Sequence, residues 1–194
     1  MRTSCIRFVF GLGFGLAFLA SHGHATVVEP LTIGQLAAES SRVVRAVVDH
    51  VYTVPERGPR GEIYTRTELV IDEYIIGDGP DAITVQQLGG RLGEWTMLLS
   101  GNAHFVPGTE VIVFLDYEPA KDLHYVVGLA QGMFTIDRTG DYASLSRNLE
   151  GLSFYLAEPM PFQPGHVEQT LETLLNALSP TLSPPDGTTL GGVQ

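Results

Sequence analysis

Residues 62–77 read EIYTRTELVIDEYIIG, and the alternation within them decides the fold class. Ile63, Thr65, Thr67, Leu69 and Ile71 fall on one face of an extended chain, with Tyr64, Arg66, Glu68 and Asp72 largely opposite. A period of two with one apolar and one polar face marks a sheet buried on one side and wet on the other. Just upstream, RVVRAVVDHVY (42–52) repeats the period, with Val44, Ala46, Val48 and Tyr52 on one face and Arg45 and Asp49 on the other. PERGPRG (55–61) is a loop by composition, DGPD (78–81) a turn, and AITVQQL (82–88) a further short strand. The pair Pro107-Gly108 turns the chain into Val111–Leu115, which is apolar on both faces and reads as a central strand. LHYVVGLA (123–130) and GMFTIDR (132–138) add two more, with Gly128 and Gly132 marking bulges or close approach, and a weaker segment runs from Tyr142 to Leu145.

Helical spacing occurs near both ends. In LTIGQLAAESS (31–41), Thr32 is an N-cap candidate, and Ile33, Leu36 and Ala37 share a face. In HVEQTLETLLNAL (166–178), Val167, Leu171, Leu174, Leu175 and Leu178 form an amphipathic stripe suited to covering a sheet. The expected class is therefore mainly β: a five- to seven-stranded antiparallel barrel of OB-like form, or a sandwich. A short N-terminal helix precedes it and a C-terminal amphipathic helix follows. One β-rich domain is expected over 26–178. The Pro-, Gly-, Ser- and Thr-rich 179–194 reads as a disordered tail.

The first 25 residues have the layout of a signal peptide. Arg2 and Arg7 precede an apolar run from Phe8 to Ala20, and Gly23 and Ala25 occupy the −3 and −1 positions for cleavage before Thr26. Crossing a membrane takes about 20 apolar residues, more than this run supplies. A retained N-terminal anchor is the alternative reading. After cleavage near Ala25 the product is expected to be exported, to periplasm or extracellular space, with no stable membrane span. Cys5, the single cysteine of the sequence, lies inside this segment, so the exported chain has no disulfide and no thiol chemistry.

Loss of Arg2 and Arg7 leaves nine of the eleven basic residues against 22 acidic ones, a net charge of −13. Lys121 is the one lysine. That balance excludes nucleic acid and anionic lipid as partners, because both require clustered basic side chains.

No sequence motif carries catalysis. His50, His104, His124 and His166 lie in separate segments without metal-ligand spacing, so no metal and no cofactor is expected. Ser100, Ser144 and Ser146 have no neighbouring base and no nucleophile-elbow context. The acidic pairs Asp72-Glu73 and Asp78/Asp81 sit on solvated faces or turns, and GDGPD lacks the spacing of a calcium loop. The stretch LGGRLGEW (88–95) lacks the Lys-Ser/Thr of a phosphate loop and opens no helix, so its glycines read as backbone freedom at a barrel corner. Its tryptophan has two readings: a plug in a small core, the commoner fate of an aromatic, or an exposed anchor on a binding face.

Several blocks together resemble an uncharacterised family of exported bacterial proteins. They are LTIGQLAAESSRVVRAVV, IYTRTELVIDEYIIGD, QLGGRLGEW, FVPGTEVIVFL and YVVGLAQGMFTI, spanning about 31–137. In that family a GG..G segment, an F-x-P-G-E turn and a V-G-L-x-Q-G-x-F hairpin follow one another. This chain departs from the pattern at Gly77-Asp78, which lacks a basic residue, and at Thr109, which stands where the family pattern has Glu after the Gly. The resemblance implies export and the β architecture, and carries no catalytic residue. More distantly, the order of elements is similar to netrin-type and metalloproteinase-inhibitor OB barrels, whose N-terminal cysteine and disulfides are missing here.

The functional expectation is a non-catalytic binding or protein-interaction module. Arg91, Trp95, His104 and Phe105 are its candidate binding residues, and another exported protein or an extracellular ligand its partner. The alternatives are a hydrolase or metal-dependent enzyme whose site assembles only in the fold, around His104 or His124, and a structural component of the envelope.

Overall fold

The computed structural model describes residues 26–55, 61–140, 143–155 and 169–182. Residues 1–25, most of the loop at 55–61, Tyr142, His166 and the last twelve residues lie outside that set.

The chain is mainly β. In order, its elements are β1 (Thr26–Val28), α1 (Ile33–Glu39), β2 (Arg42–Pro55), β3 (Ile63–Ile76), β4 (Ala82–Leu88), β5 (Gly90–Leu92), β6 (Trp95–Met97), β7 (Glu110–Glu118), β8 (Leu123–Val126), β9 (Met133–Asp137), β10 (Ser144–Ser146), β11 (Leu152–Phe154), β12 (Gln169–Thr170) and α2 (Leu171–Leu182). Five strands close on themselves. β7 pairs with β2, β2 with β3 and β3 with β4, all antiparallel; β4 meets β8 in parallel, and β8 returns to β7 antiparallel. The sheet continues from β7 through β9 and β10 to β12.

The ring has a core inside and another outside. Val44, Ala46, Val48, Leu69, Val85, Val111, Val113 and Leu115 pack within it. Outside, α1 and α2 contribute Leu36, Ala37, Leu174 and Leu178 against Val43, Ile112, Phe114, Phe134 and Leu145. β7 is apolar on both faces because it serves both cores: Val111 to Leu115 are at most 1% exposed. The rings of Phe114 and Phe134 meet at 6.1 Å and 54°, a tilted pairing that adds about 1 kcal/mol to their burial. Helix α1 starts on a capping box: Gln35 N donates to Thr32 Oγ1, and Thr32 N to Gln35 Oε1.

The structure corrects three sequence expectations. A bulge at Asp49 shifts the β2–β3 register between Val48 and His50, so Val51 and Thr53, not Tyr52, follow Val48 around the barrel interior; Tyr52 is 40% exposed. The two strands of YVVGLAQGMFTI do not form a hairpin with each other. β8 and β9 lie one after the other along the same edge of β7, and residues 127–132 bow out between them. At Gly132 that excursion passes so close to the Val127 carbonyl that a Cβ would sit 2.0 Å from its oxygen. The buried Gln131 then ties down the N-terminal segment, accepting from Leu31 N and donating to Glu29 O. At the C-terminus, Gln169–Thr170 form the short β12 and the helix runs from Leu171 through Leu182 instead of ending at Leu178, while residues 166–168 of the expected stripe lie outside the described residues. The five-stranded ring agrees with the expected small mainly β barrel, and short pairs such as β1–β11 and β5–β6 flank it.

Candidate functional site

The inward-facing side chains of β2, β3 and β4 form successive rungs along the barrel. Deepest is Val48, Leu69 and Ile83; next come Val51, Thr67 and Val85; at the mouth are Thr53, Thr65 and Gln87. The interior thus changes from apolar to polar toward this end.

Over the mouth lies the stretch LGGRLGEW. β4 ends at Leu88, the chain turns at Gly89-Gly90, and β5 and β6 form a hairpin with Leu92 opposite Trp95 across the two-residue turn Gly93-Glu94. Gly89 and Gly90 have φ of +104° and +141°, and a Cβ on Gly90 would lie 2.6 Å from Thr65 Oγ1. Only glycine lets the backbone pass this close to the Thr53–Thr65 pair. The Thr65 hydroxyl donates to Gly89 O, fixing the turn against the barrel.

Between the hairpin, its return segment and the rungs lies a cleft of about 430 Å³. Arg91, His104 and Phe105 of the four expected binding residues border it; Trp95 does not. Trp95 stands at the hairpin tip, 75% exposed, so it is not a core plug. With Leu92 and Leu98 (87% exposed) it makes the projecting hairpin apolar. Phe105 is buried and belongs to the barrel core, whereas His104, its neighbour in sequence, faces solvent. Arg91 makes one long contact, Nε to Gly93 O at 3.4 Å, which leaves most of its donors free. Arg91 and His104 are the ionisable side chains of the cleft wall, and no carboxylate lines it among the described residues.

The opposite end is filled. The Arg42 guanidinium lies 4.2 Å from the Tyr117 ring centre, and Nη1 donates to His124 Nε2 at 2.5 Å. His124 stacks on Tyr117 at 4.7 Å and donates from Nδ1 to Thr84 O at 3.2 Å. With both ring nitrogens engaged this way the imidazole is neutral, and burial, aided by the Arg42 charge, holds its pKa below the ordinary value. Tyr74 completes the plug, its hydroxyl donating to Pro80 O.

His104 and His124 therefore sit at opposite ends of the barrel and form no joint site. A different group, invisible in the sequence, comes together on the outer face: Asp49, His50 and Glu68, whose ligand atoms lie within 4.8 Å of one another. Asp49 and His50 are exposed, and His50 Nδ1 is already 2.7 Å from Asp49 Oδ2. Beside them, Glu68, Asp49 and Asp122 border a groove of about 180 Å³.

Sequence reasoning missed Thr53, Thr65, Thr67 and Gln87 as site residues. The readable signal was present: Thr65 and Thr67 occupy the buried face of β3, where an aliphatic residue is the usual choice. Compared with protein-family models, with curated proteins and with solved structures, the chain matches none.

Proposed function

We propose that this chain is an exported, non-catalytic binding module whose ligand site is the open barrel mouth. The observation that carries the reading is the cleft itself. A space of about 430 Å³ lies within the range of small-ligand pockets. Its wall combines hydroxyl and amide groups with an apolar return strand, and the lining places no carboxylate beside His104 to form an acid–base pair. Export rests on the signal-type leader. No helix among the described residues is long and apolar enough to cross a membrane. We also read the ring as an OB-type barrel, a reading supported by its strand order and by the single parallel closure of β4 on β8.

A metal-dependent activity is the second reading, favoured by the Asp49–His50–Glu68 group. One titration separates the two. Purified ¹⁵N-labelled protein is expected to respond to a fragment library through the amides of Thr53, Thr65, Gln87 and His104. A response confined to Asp49, His50 and Glu68, elicited by Zn²⁺ or Mn²⁺ and accompanied by hydrolysis of ester or phosphoester substrates, would replace binding with catalysis.

A further inference from the structure

Thr67 lines the floor of the mouth cleft, and its hydroxyl makes no hydrogen bond among the described residues; it is not among the side-chain atoms buried without a partner, so it is reached from the cleft. The hydroxyl of Thr53 and the amide of Gln87, one rung further out, are likewise unpartnered. A hydroxyl or amide open to a cleft can exchange water for the hydrogen bonds of a ligand, and valine at the Thr67 position would keep the shape without that capacity.

The chemistry of the wall narrows that ligand. Hydroxyls and amides both donate and accept, and they carry no charge. Facing them across the cleft, Met97, Leu98 and Leu99 supply an apolar side. A phosphate-bearing ligand calls for clustered cations, whereas the wall offers Arg91 and His104 alone. A lipid tail calls for an apolar floor, whereas the floor here is threonine and glutamine. A pyranose ring meets both sides at once, with hydroxyls around its rim and C–H groups on its faces.

We infer that the barrel mouth binds a short neutral saccharide, its hydroxyls on Thr53, Thr67 and Gln87 and a C–H face against Leu98. This rests on the reading of the mouth as a binding site.

The test titrates ¹⁵N-labelled protein with maltotriose, cellotriose and N,N′-diacetylchitobiose, and separately with an end-capped tetra-alanine peptide as a non-sugar probe. At least one sugar is expected to shift the amides of Thr53, Thr67 and Gln87 at concentrations up to about 10 mM, a weak-binding range. Thr53→Val and Thr67→Val are each expected to weaken that sugar roughly five- to tenfold, the weight of one neutral hydrogen bond. Thr67→Val is also expected to leave Tm unchanged or higher, showing that the fold does not need the hydroxyl.

If the peptide moves these amides and no sugar does, the saccharide assignment is overturned while the cleft stands as a binding site. If neither probe moves them, both fail. A Thr67→Val variant that melts several degrees lower, or that binds sugar as tightly as the parent, overturns the role given to the hydroxyl.

Discussion

The two ends of the barrel are made from the same strands and finished in opposite ways. At the end formed by the start of β2 and the end of β7, the polar groups satisfy one another: Arg42 donates to His124, His124 to the Thr84 carbonyl, and Tyr117 to Asp122. At the other end, Thr53, Thr67 and Gln87 face a cleft and bond to nothing in the protein described. At the plugged end His124 is shut inside the barrel, where desolvation is expensive, whereas the polar side chains of the open end are reached from the cleft. The difference lies in whether the partner is internal or has to arrive from outside. It follows that substitutions at the plugged end should cost stability and spare binding, and those at the open end should do the reverse.

The largest expected effect is Arg42→Ala. It removes the cation over Tyr117 and strands the buried Nε2 of His124, so a loss of about 2–3 kcal/mol is expected in urea unfolding. A loss under about 0.5 kcal/mol would mean that the plug does not hold that end.

Gly90→Ala comes next, at about 1–3 kcal/mol, because its φ of +141° disfavours a side chain and the new Cβ would crowd Thr65 Oγ1. This is the one open-end change expected to destabilise, since it strains the backbone where Gly90 passes the Thr53–Thr65 pair. Retention of full stability would show that the hairpin can shift away from the mouth.

A smaller effect is the pH dependence of the plug. Burial lowers the folded-state pKa of His124, so below the ordinary histidine value of about 6.5 the unfolded chain takes up a proton that the folded chain refuses. Stability is complete above that value and falls as pH drops through the window beneath it. Unfolding between about pH 7.5 and 5.5 should show the decline, and His124→Gln should flatten it. A decline unchanged in the variant would assign it to other groups.

Smallest of all, Trp95→Ala should leave stability within about 0.5 kcal/mol of the parent, as its ring stands in solvent. A substantial drop in Tm would place the ring against the protein after all and remove the hairpin tip from consideration as a contact surface.

Much of this could be read from the chain. The period of two in 62–77 identified the buried face of β3, including the two threonines that became the site, and the doubly apolar 111–115 identified the strand that serves both cores. Thr32 was legible as a cap because capping is a local hydrogen bond. What escaped notice depends on register. The bulge at Asp49 exchanges the faces of the second half of β2, and this turns Thr53 inward and Tyr52 outward. No pattern within 42–52 signals it, since the extra residue is accommodated by pairing with β3. Of the two readings of Trp95, the core plug fails for a related reason: aromatic burial is a statistical tendency, and a two-residue hairpin beyond the sheet has no core to offer it.

The sequence by itself determined the mainly β class, the places of the helical stripes and the acidic balance of charge. Each is a property of composition or of neighbours a few residues apart, and propensity and periodicity act at that range. The tertiary structure alone decided that the sheet closes into a ring, that His104 and His124 stand at opposite ends, and that Thr53, Thr65 and Gln87 share one rung. Those relations join residues that are 12 to 82 positions apart in the chain but adjacent across strands. Strand pairing and interior packing select them, and neither is written in any single segment.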